Sequence, residues 1–382
     1  MPLSDVLHQD RAHNRLQRAF CAGRIPHAYL FTGPDGVGKE MLANRLAAVL
    51  LCTNPQERQP PADVQGALET WRDACGRCVD CELLRAGNHP DFHRIHRTLN
   101  KSHPDAQIRS RKAIDLSIDV IRHFLIARIG LRPSQGQSKV FIITEAERLS
   151  AGAQNAMLKT LEEPPAHSYL VLLATSADAL LETTKSRCQH VSFNTLPAEF
   201  IRRHLDDQAG LSQDAATFLA ELSQGSLGQA MQFAAYGLHD SVSALLDLLS
   251  QAAANPLACG KGLQEAAQEL AGALKTQSDD DTGDTNMTRL AQNMILATAS
   301  TILRDVQRLT VGHRPAALPS NAVISRLAEK THPEAMRKTI QAVGTAEYQI
   351  RRSGNVNLIF DTLGIAIGRG LKPGARTSQP VI

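Results

Sequence analysis

Gly33-Pro34-Asp35-Gly36-Val37-Gly38-Lys39-Glu40 is the stretch on which the reading of this chain turns. An apolar run, Ala28-Tyr29-Leu30-Phe31-Thr32, precedes it, and a helix-like run from Met41 to Leu51 follows. Strand, glycine-rich turn and helix in that order is the context of a phosphate-binding P-loop. Gly33, Gly36 and Gly38 let the backbone turn so that its N–H groups can surround phosphate oxygens. The helix N-terminus adds partial positive charge, and Lys39 adds a full one. Glu40, however, stands where a Ser or Thr hydroxyl would hold Mg²⁺, and its carboxylate brings negative charge towards the phosphates.

A second departure lies further along. Lys139-Val140-Phe141-Ile142-Ile143 reads as a buried parallel strand and runs into Thr144-Glu145. In P-loop ATPases such a strand ends in an acidic residue that holds the hydrated metal, followed by a Glu that orients the attacking water. Thr144 cannot supply that charge, so metal binding is weakened at both Glu40 and Thr144. Lys39 then has two readings. It contacts a phosphate and gives weak nucleotide binding without hydrolysis, or it pairs with Glu40, Glu145 or Asp35 in an empty pocket.

Between the two lies Cys75-Gly76-Arg77-Cys78-Val79-Asp80-Cys81, two overlapping C-x-x-C steps, with Cys52 at the end of the P-loop helix as a possible fourth thiolate. That spacing suits a structural Zn²⁺, whose four protein ligands leave no position open for substrate. The alternative is a set of reduced surface thiols or a redox pair.

The remaining segments read more coarsely. Residues 3 to 24 predict a surface helix leading into the first strand, and Thr53 to Arg72, with the single Trp, Trp71, predicts a loop insertion with at most one helical turn. Arg94, Arg97, Lys101, Arg109, Arg111 and Lys112 form a basic run, read as a solvated face with DNA contact as the alternative. Asp119 to Ile129 predicts an amphipathic helix. Ser150 predicts the N-cap of a helix that Pro164 and Pro165 stop, and Tyr169 to Ala174 predicts another buried strand, ending at Thr175. Strands alternating with helices from 28 to 195 argue for a parallel sheet with helices on both faces. Beyond Pro197 helical periodicity dominates, through a last run from Val356 to Ile367. It is broken at Gly225-Ser226-Leu227-Gly228 and at the acidic segment 276–286, read as a mobile loop, and the tail from Arg369 reads as disordered.

Composition bounds what this chain can be. At 382 residues, with 43% hydrophobic and 4% aromatic content, it has material for two or three domains, helix-rich in character. A net charge of +3 does not by itself argue for DNA binding. Without a basic-then-apolar leader or an apolar run of about 18 residues, a cytoplasmic location is expected, and the seven cysteines are expected as thiols or metal ligands. No acceptor-binding constellation for a small-molecule kinase and no paired carboxylates of a polymerase can be assigned.

Four further segments carry a resemblance. Arg24-Ile25-Pro26-His27-Ala28-Tyr29-Leu30-Phe31, the Cys52…Cys75-x-x-Cys78-x-x-Cys81 module, Leu158-Lys159-Thr160-Leu161-Glu162-Glu163-Pro164-Pro165 and Ser186-Arg187-Cys188 together resemble the bacterial clamp-loader subunits of the AAA+ ATPases. The resemblance covers roughly residues 1 to 195. It implies an α/β AAA+ base domain over 1–195 with the zinc module at 52–81, a helical lid over 196–236 and an all-α collar over 237–382.

Motor subunits of that family keep the P-loop Thr, a strand-terminal Asp-Glu pair and a lid Arg. Here those positions are Glu40, Thr144 and Gly228. Arg187 is retained. The resemblance is therefore to the kind of ring member that does not hydrolyse ATP itself. It implies that Arg187 acts in trans as an arginine finger in a neighbour's ATP site. Gly33, Gly36, Gly38, Lys39, Glu145 and Thr175 would then be the remains of a nucleotide site. The implied partners are a gamma or tau motor subunit and a delta subunit in a hetero-oligomeric ring, with the sliding clamp and primer-template DNA reached through the complex. No ATPase or polymerase activity of the isolated chain is expected. The competing readings are a motor-type clamp-loader ATPase with its own site, and a zinc-bearing nucleic-acid binder using residues 94 to 112.

Overall fold

Three runs that the sequence marks as apolar become the centre of one sheet. The strands, in chain order, are β1 Ala28–Thr32, β2 Gln56–Arg58, β3 Trp71–Asp73, β4 Phe92–Ile95, β5 Lys139–Ile143, β6 Ser168–Ala174 and β7 Gln189–Ser192. The computed structural model describes residues 3–60, 64, 66, 68, 70–277 and 284–372. It divides into two units, Met1–Leu196 and Pro197–Ile382.

In the first unit β4-β5-β6-β1-β7 pair in that order, all parallel, with Phe31 opposite Leu173 and Ile142 opposite Val171. The central strands are covered on both faces, which is why they read as unbroken apolar runs. On one face Tyr29, Phe31, Ile142 and Val171 pack with Leu16 and Phe20 of the helix Asp10–Cys21 and with Leu42 and Leu46 of the helix Lys39–Leu51. On the other, Leu30, Phe141, Ile143 and Leu172 pack with Val120, Leu125, Met157 and Leu161.

Two local expectations are corrected. The insertion 53–72 is not simply a loop, because β2 and β3 form an antiparallel ladder with Gln56 opposite Asp73. Its short strands are too polar to announce themselves, yet Trp71 is buried and packs at a tilt against His13, with 5.5 Å between ring centroids. Residues 61–63, 65, 67 and 69 lie outside the described residues. The first helix is also less superficial than expected, since His13 and Gln17 are buried beside Leu16 and Phe20. Elsewhere the pattern holds. The Ser150 hydroxyl accepts the Ala153 N–H at the start of Ala151–Glu162, and the helix at 118–129 carries a π turn over Arg122–Ile126.

Among the described residues of the second unit every regular element is a helix, including Leu227–Ala235, Pro256–Gln277, Asp284–Thr310, Pro333–Arg351 and Val356–Gly370. The Ser226 side chain caps Leu227–Ala235 at the expected break. Pro256–Gln277 and Val356–Gly370 cross closely. A Cβ on Gly364 would lie 2.3 Å from the Pro256 carbonyl oxygen, so only glycine lets the backbones meet there. Most of the acidic segment 276–286 and the tail beyond 372 lie outside the described residues, but the described ends of that segment are helical. The tail read as disordered from Arg369 is instead ordered at its start, where the last helix runs to Gly370 and Leu371 is buried.

Candidate functional site

The nucleotide-type loop leaves the carboxyl end of β1, the edge of a parallel sheet where α/β folds place their ligands. Gly33 has φ +147°, and a Cβ on it would stand 2.6 Å from the Phe193 carbonyl oxygen. Gly36 and Gly38 also take positive φ, and Lys39 begins the helix. Gln9 reaches this loop from outside. Its amide donates to the carbonyls of Val37 at 3.2 Å and Asn194 at 2.8 Å and accepts the Asn194 N–H at 3.1 Å.

The charges of the loop are consumed locally. Lys39 is buried, and its Nζ donates to the Gly33 carbonyl at 2.5 Å, the Pro34 carbonyl at 2.7 Å and Asp35 Oδ1 at 3.2 Å. Asp35 is thus its acidic partner, while Glu40 and Glu145 pair elsewhere. Glu40 meets Arg94 of β4 at 3.1 Å. Glu145 adopts the left-handed region at φ +52° and is held by Arg97 at 3.0 Å and Arg148 at 3.3 Å. The Thr144 hydroxyl donates to the Ile95 carbonyl at 3.4 Å. Thr175, exposed beyond β6, gives its N–H to Glu147 at 3.3 Å. Gly33, Thr144, Glu145 and Thr175 share one end of the sheet, with β6 standing between β1 and β5.

Arg187 lies just past the short helix Glu182–Lys185, with about a third of its side chain exposed. Its Nη1 donates to the Thr183 carbonyl at 2.8 Å and Ser186 Oγ at 3.3 Å, and its Nη2 meets Glu162 Oε1 at 2.5 Å. Glu162 is the last residue of Ala151–Glu162, so the guanidinium is oriented by two of the segments that carry the family resemblance. The neighbouring Cys188 points inward, and burial pushes its thiol up to about 12. Gly228 belongs to the second unit, in the first turn of Leu227–Ala235.

Cys52, Cys75, Cys78 and Cys81 come together with all four sulfurs within 4.8 Å of one another. The Lys39–Leu51 helix delivers Cys52 at its end, β3 leads into Cys75, and Cys78 and Cys81 flank the start of the helix Val79–Arg85. Cys52 and Cys78 sulfurs stand 3.8 Å apart, and a tetrahedron of thiolates about 2.3 Å from a metal has edges of about 3.8 Å. The Cys75 N–H also points at the Cys52 sulfur, at 3.3 Å. Burial raises the thiols of Cys52 and Cys81. At Cys78 burial is outweighed by hydrogen bonds from Thr53 and the Cys81 backbone, which hold it at about 6. The donor set can hold a metal ion.

Arg94 and Arg97, read in the sequence only as members of a basic run, each pair with a carboxylate distant in the chain, while Arg148, which carried no sequence signal, meets Glu145 three residues away. Of the basic run, Arg94, Arg97 and Arg111 meet Glu40, Glu145 and Asp119, and Arg109 donates to the carbonyls of His103 and Pro104.

Residues 8–197 match the family described as DNA polymerase III, delta subunit. The delta' subunit of DNA polymerase III from Escherichia coli K12 is 31% identical over 217 residues, 57% of this chain and 57% of that protein. The delta' subunit from Pseudomonas aeruginosa is 34% identical over 242 residues, 61% of this chain and 64% of that one. The tau subunit from Escherichia coli K12 is 32% identical over 233 residues, 60% of this chain but 32% of tau. The chain thus spans less than two thirds of the length of these curated relatives. A crystal structure of a gamma subunit-related protein from Thermotoga maritima aligns over 91% of this chain and 95% of that one, at 18% identity and a TM-score of 0.43. Over residues 8–197 the chain thus matches the DNA polymerase III delta-subunit family, and it is similar to the delta' subunits, with tau at nearly the same identity.

Proposed function

We propose that this chain is a non-motor subunit of a bacterial DNA polymerase III clamp loader, acting in the cytoplasm at the replisome. It joins gamma or tau motor subunits and a delta subunit in a hetero-oligomeric ring that loads the sliding clamp onto primed DNA. Residues 1–195 serve as the base domain, 196–236 as the lid and 237–382 as the collar. The observation that carries this reading is the internal neutralisation of the nucleotide loop, with Lys39 on Gly33, Pro34 and Asp35, Glu40 on Arg94 and Glu145 on Arg97. Mg·ATP would have to displace those partners and would find neither a metal-binding hydroxyl nor a strand-end Asp, so nucleotide binding is weak or absent.

Arg187, oriented and partly exposed, is the group this subunit contributes to catalysis, as a finger stabilising transition-state charge in a neighbouring motor subunit. The four cysteines hold a structural Zn²⁺ that fastens the insertion 52–81 to the sheet.

The test is ATP hydrolysis. Arg187→Ala should leave the assembly intact while slowing DNA-stimulated turnover at the site it serves by about 10³-fold or more, the range of arginine fingers elsewhere. Unchanged hydrolysis by the complete loader rejects the finger. Motor-like turnover by the purified chain alone, abolished in Lys39→Ala, would make the motor-type reading the right one.

A further inference from the structure

A cleft of about 580 Å³ opens between the first helix and the edge strand β7, apart from the nucleotide loop and the metal cluster. Its lining includes Arg11, Arg15, Arg18 and Arg24, and no Asp or Glu among the described residues. Arg11, Arg15 and Arg18 fall at i, i+4 and i+7 of Asp10–Cys21, one face of a helix, with steps of about 5–6 Å between neighbouring side chains. All four arginines are exposed, and none of them forms an ion pair among the described residues. Arg15 is oriented, because the Gln189 carboxamide, turned to present its oxygen, accepts its Nε at 2.9 Å together with one Nη. Four like charges held in one cleft repel each other, at a cost that an anion spanning them would reverse.

We infer that this cleft binds a chain of phosphate groups, either the phosphodiester backbone of a nucleic-acid strand or a free polyphosphate. Guanidinium forks take phosphate oxygens two at a time, and a row of them suits successive phosphates better than a single anion. The apolar lining is confined to Ala19, Pro26 and Val191, which offers no pocket for the side chains that specify a docked peptide strand. No Phe, Tyr or Trp lines the cleft, so bases gain no stacking platform and recognition rests on phosphate without regard to sequence. The site differs from the basic run 94–112, where four of the arginines are already engaged within the chain.

The experiment is fluorescence anisotropy of the full chain with a labelled 15-nucleotide oligo-dT across a salt series, with inorganic tripolyphosphate and a poly-Glu peptide as competitors. Arg11→Gln/Arg18→Gln should weaken oligonucleotide binding by roughly tenfold or more and reduce the slope of log K against log salt by about 1.4, two phosphate contacts on a single strand. Arg11→Lys/Arg18→Lys, which keeps charge and loses the forks, should fall between that variant and the original. Arg109→Gln/Lys112→Gln should bind as the original does.

Tripolyphosphate that binds and displaces the oligonucleotide stoichiometrically identifies the free polyphosphate as ligand. Oligonucleotide binding that tripolyphosphate displaces only in large excess identifies the strand. The inference is overturned if neither probe binds, if only poly-Glu binds, or if a Gln variant with an unchanged thermal melt binds as tightly as the original. The assay uses neither ATP nor Arg187, so it can fail while the clamp-loader reading stands, and the reverse.

Discussion

Removing the metal from the tetra-cysteine module should loosen the β2–β3 ladder and bring Trp71 into water. Trp71 is the only tryptophan of the chain, is 1% exposed, and shares its core with Cys52, Ala74 and Cys81. Cys75 follows β3 by two residues, so the ligand set and the tryptophan are fastened to the same short strand. Burying an indole removes roughly 150–250 Å² from water, about 4–6 kcal/mol at the usual coefficient. Structural zinc binding contributes about 10–16 kcal/mol, as much as the whole stability of a typical domain at about 5–15 kcal/mol. A zinc ion held by these four cysteines would therefore be decisive for this module.

Metal analysis of the purified chain should give one zinc per chain. Titration with a chelator should red-shift the tryptophan emission in step with metal release, and added zinc should reverse it. Cys81→Ser should start from the shifted spectrum, while Cys21→Ser, an exposed thiol outside the cluster, should not. A metal-free protein whose Trp71 emits as a buried residue would refute the reasoning. So would release of the metal with no change in emission.

Three smaller perturbations test other parts of the account. Arg187→Ala should change unfolding free energy by less than about 1 kcal/mol in urea titration, because its Glu162 partner is about half exposed; a larger loss would make the residue structural. Gly33→Ala should cost about 1–3 kcal/mol or more, since the added methyl meets the Phe193 carbonyl and the backbone sits at positive φ; an unchanged melting temperature would contradict the packing. Asp91 is buried; burial raises its carboxyl, but the N–H groups of Ser134, Gln135 and Gly136 outweigh that and hold it below the usual range. A depressed folded-state pKa contributes stability that is fully present above the unfolded value of about 3.9 and is lost as pH falls through the folded value. The gap in urea midpoint between the original and Asp91→Asn should therefore narrow between neutral pH and pH 3, and a gap independent of pH would rule this account out.

The centre of the sheet was legible because β1, β5 and β6 are enclosed on both faces and so need apolar residues throughout. The flanking strands β4 and β7, with sequences FHRI and QHVS, were not, because each has one open edge and only one fully buried residue, Ile95 and Val191. The cysteine cluster was readable for its three local members by spacing. Cys52 joins them only because a helix of fixed length ends beside β3. The loop's glycines and Lys39 were readable from order along the chain. The pairing of Lys39 with Asp35 was one of the readings the sequence offered, but Glu40 with Arg94 and Glu145 with Arg97 were not legible, since they depend on how the Lys39–Leu51 helix and β5 are set beside β4, which no local pattern encodes.

Gln9 gives the nucleotide-type loop a mechanical connection. One buried carboxamide holds the Val37 carbonyl within that loop and both backbone groups of Asn194, three residues before the chain enters the helical unit at Pro197. The backbone after β7 is therefore held both by the Phe193 N–H bond to the Thr32 carbonyl and by this side chain. The loop's conformation is thereby tied, through one side chain, to the backbone that follows β7 as well as to its own internal ion pair and carbonyl contacts.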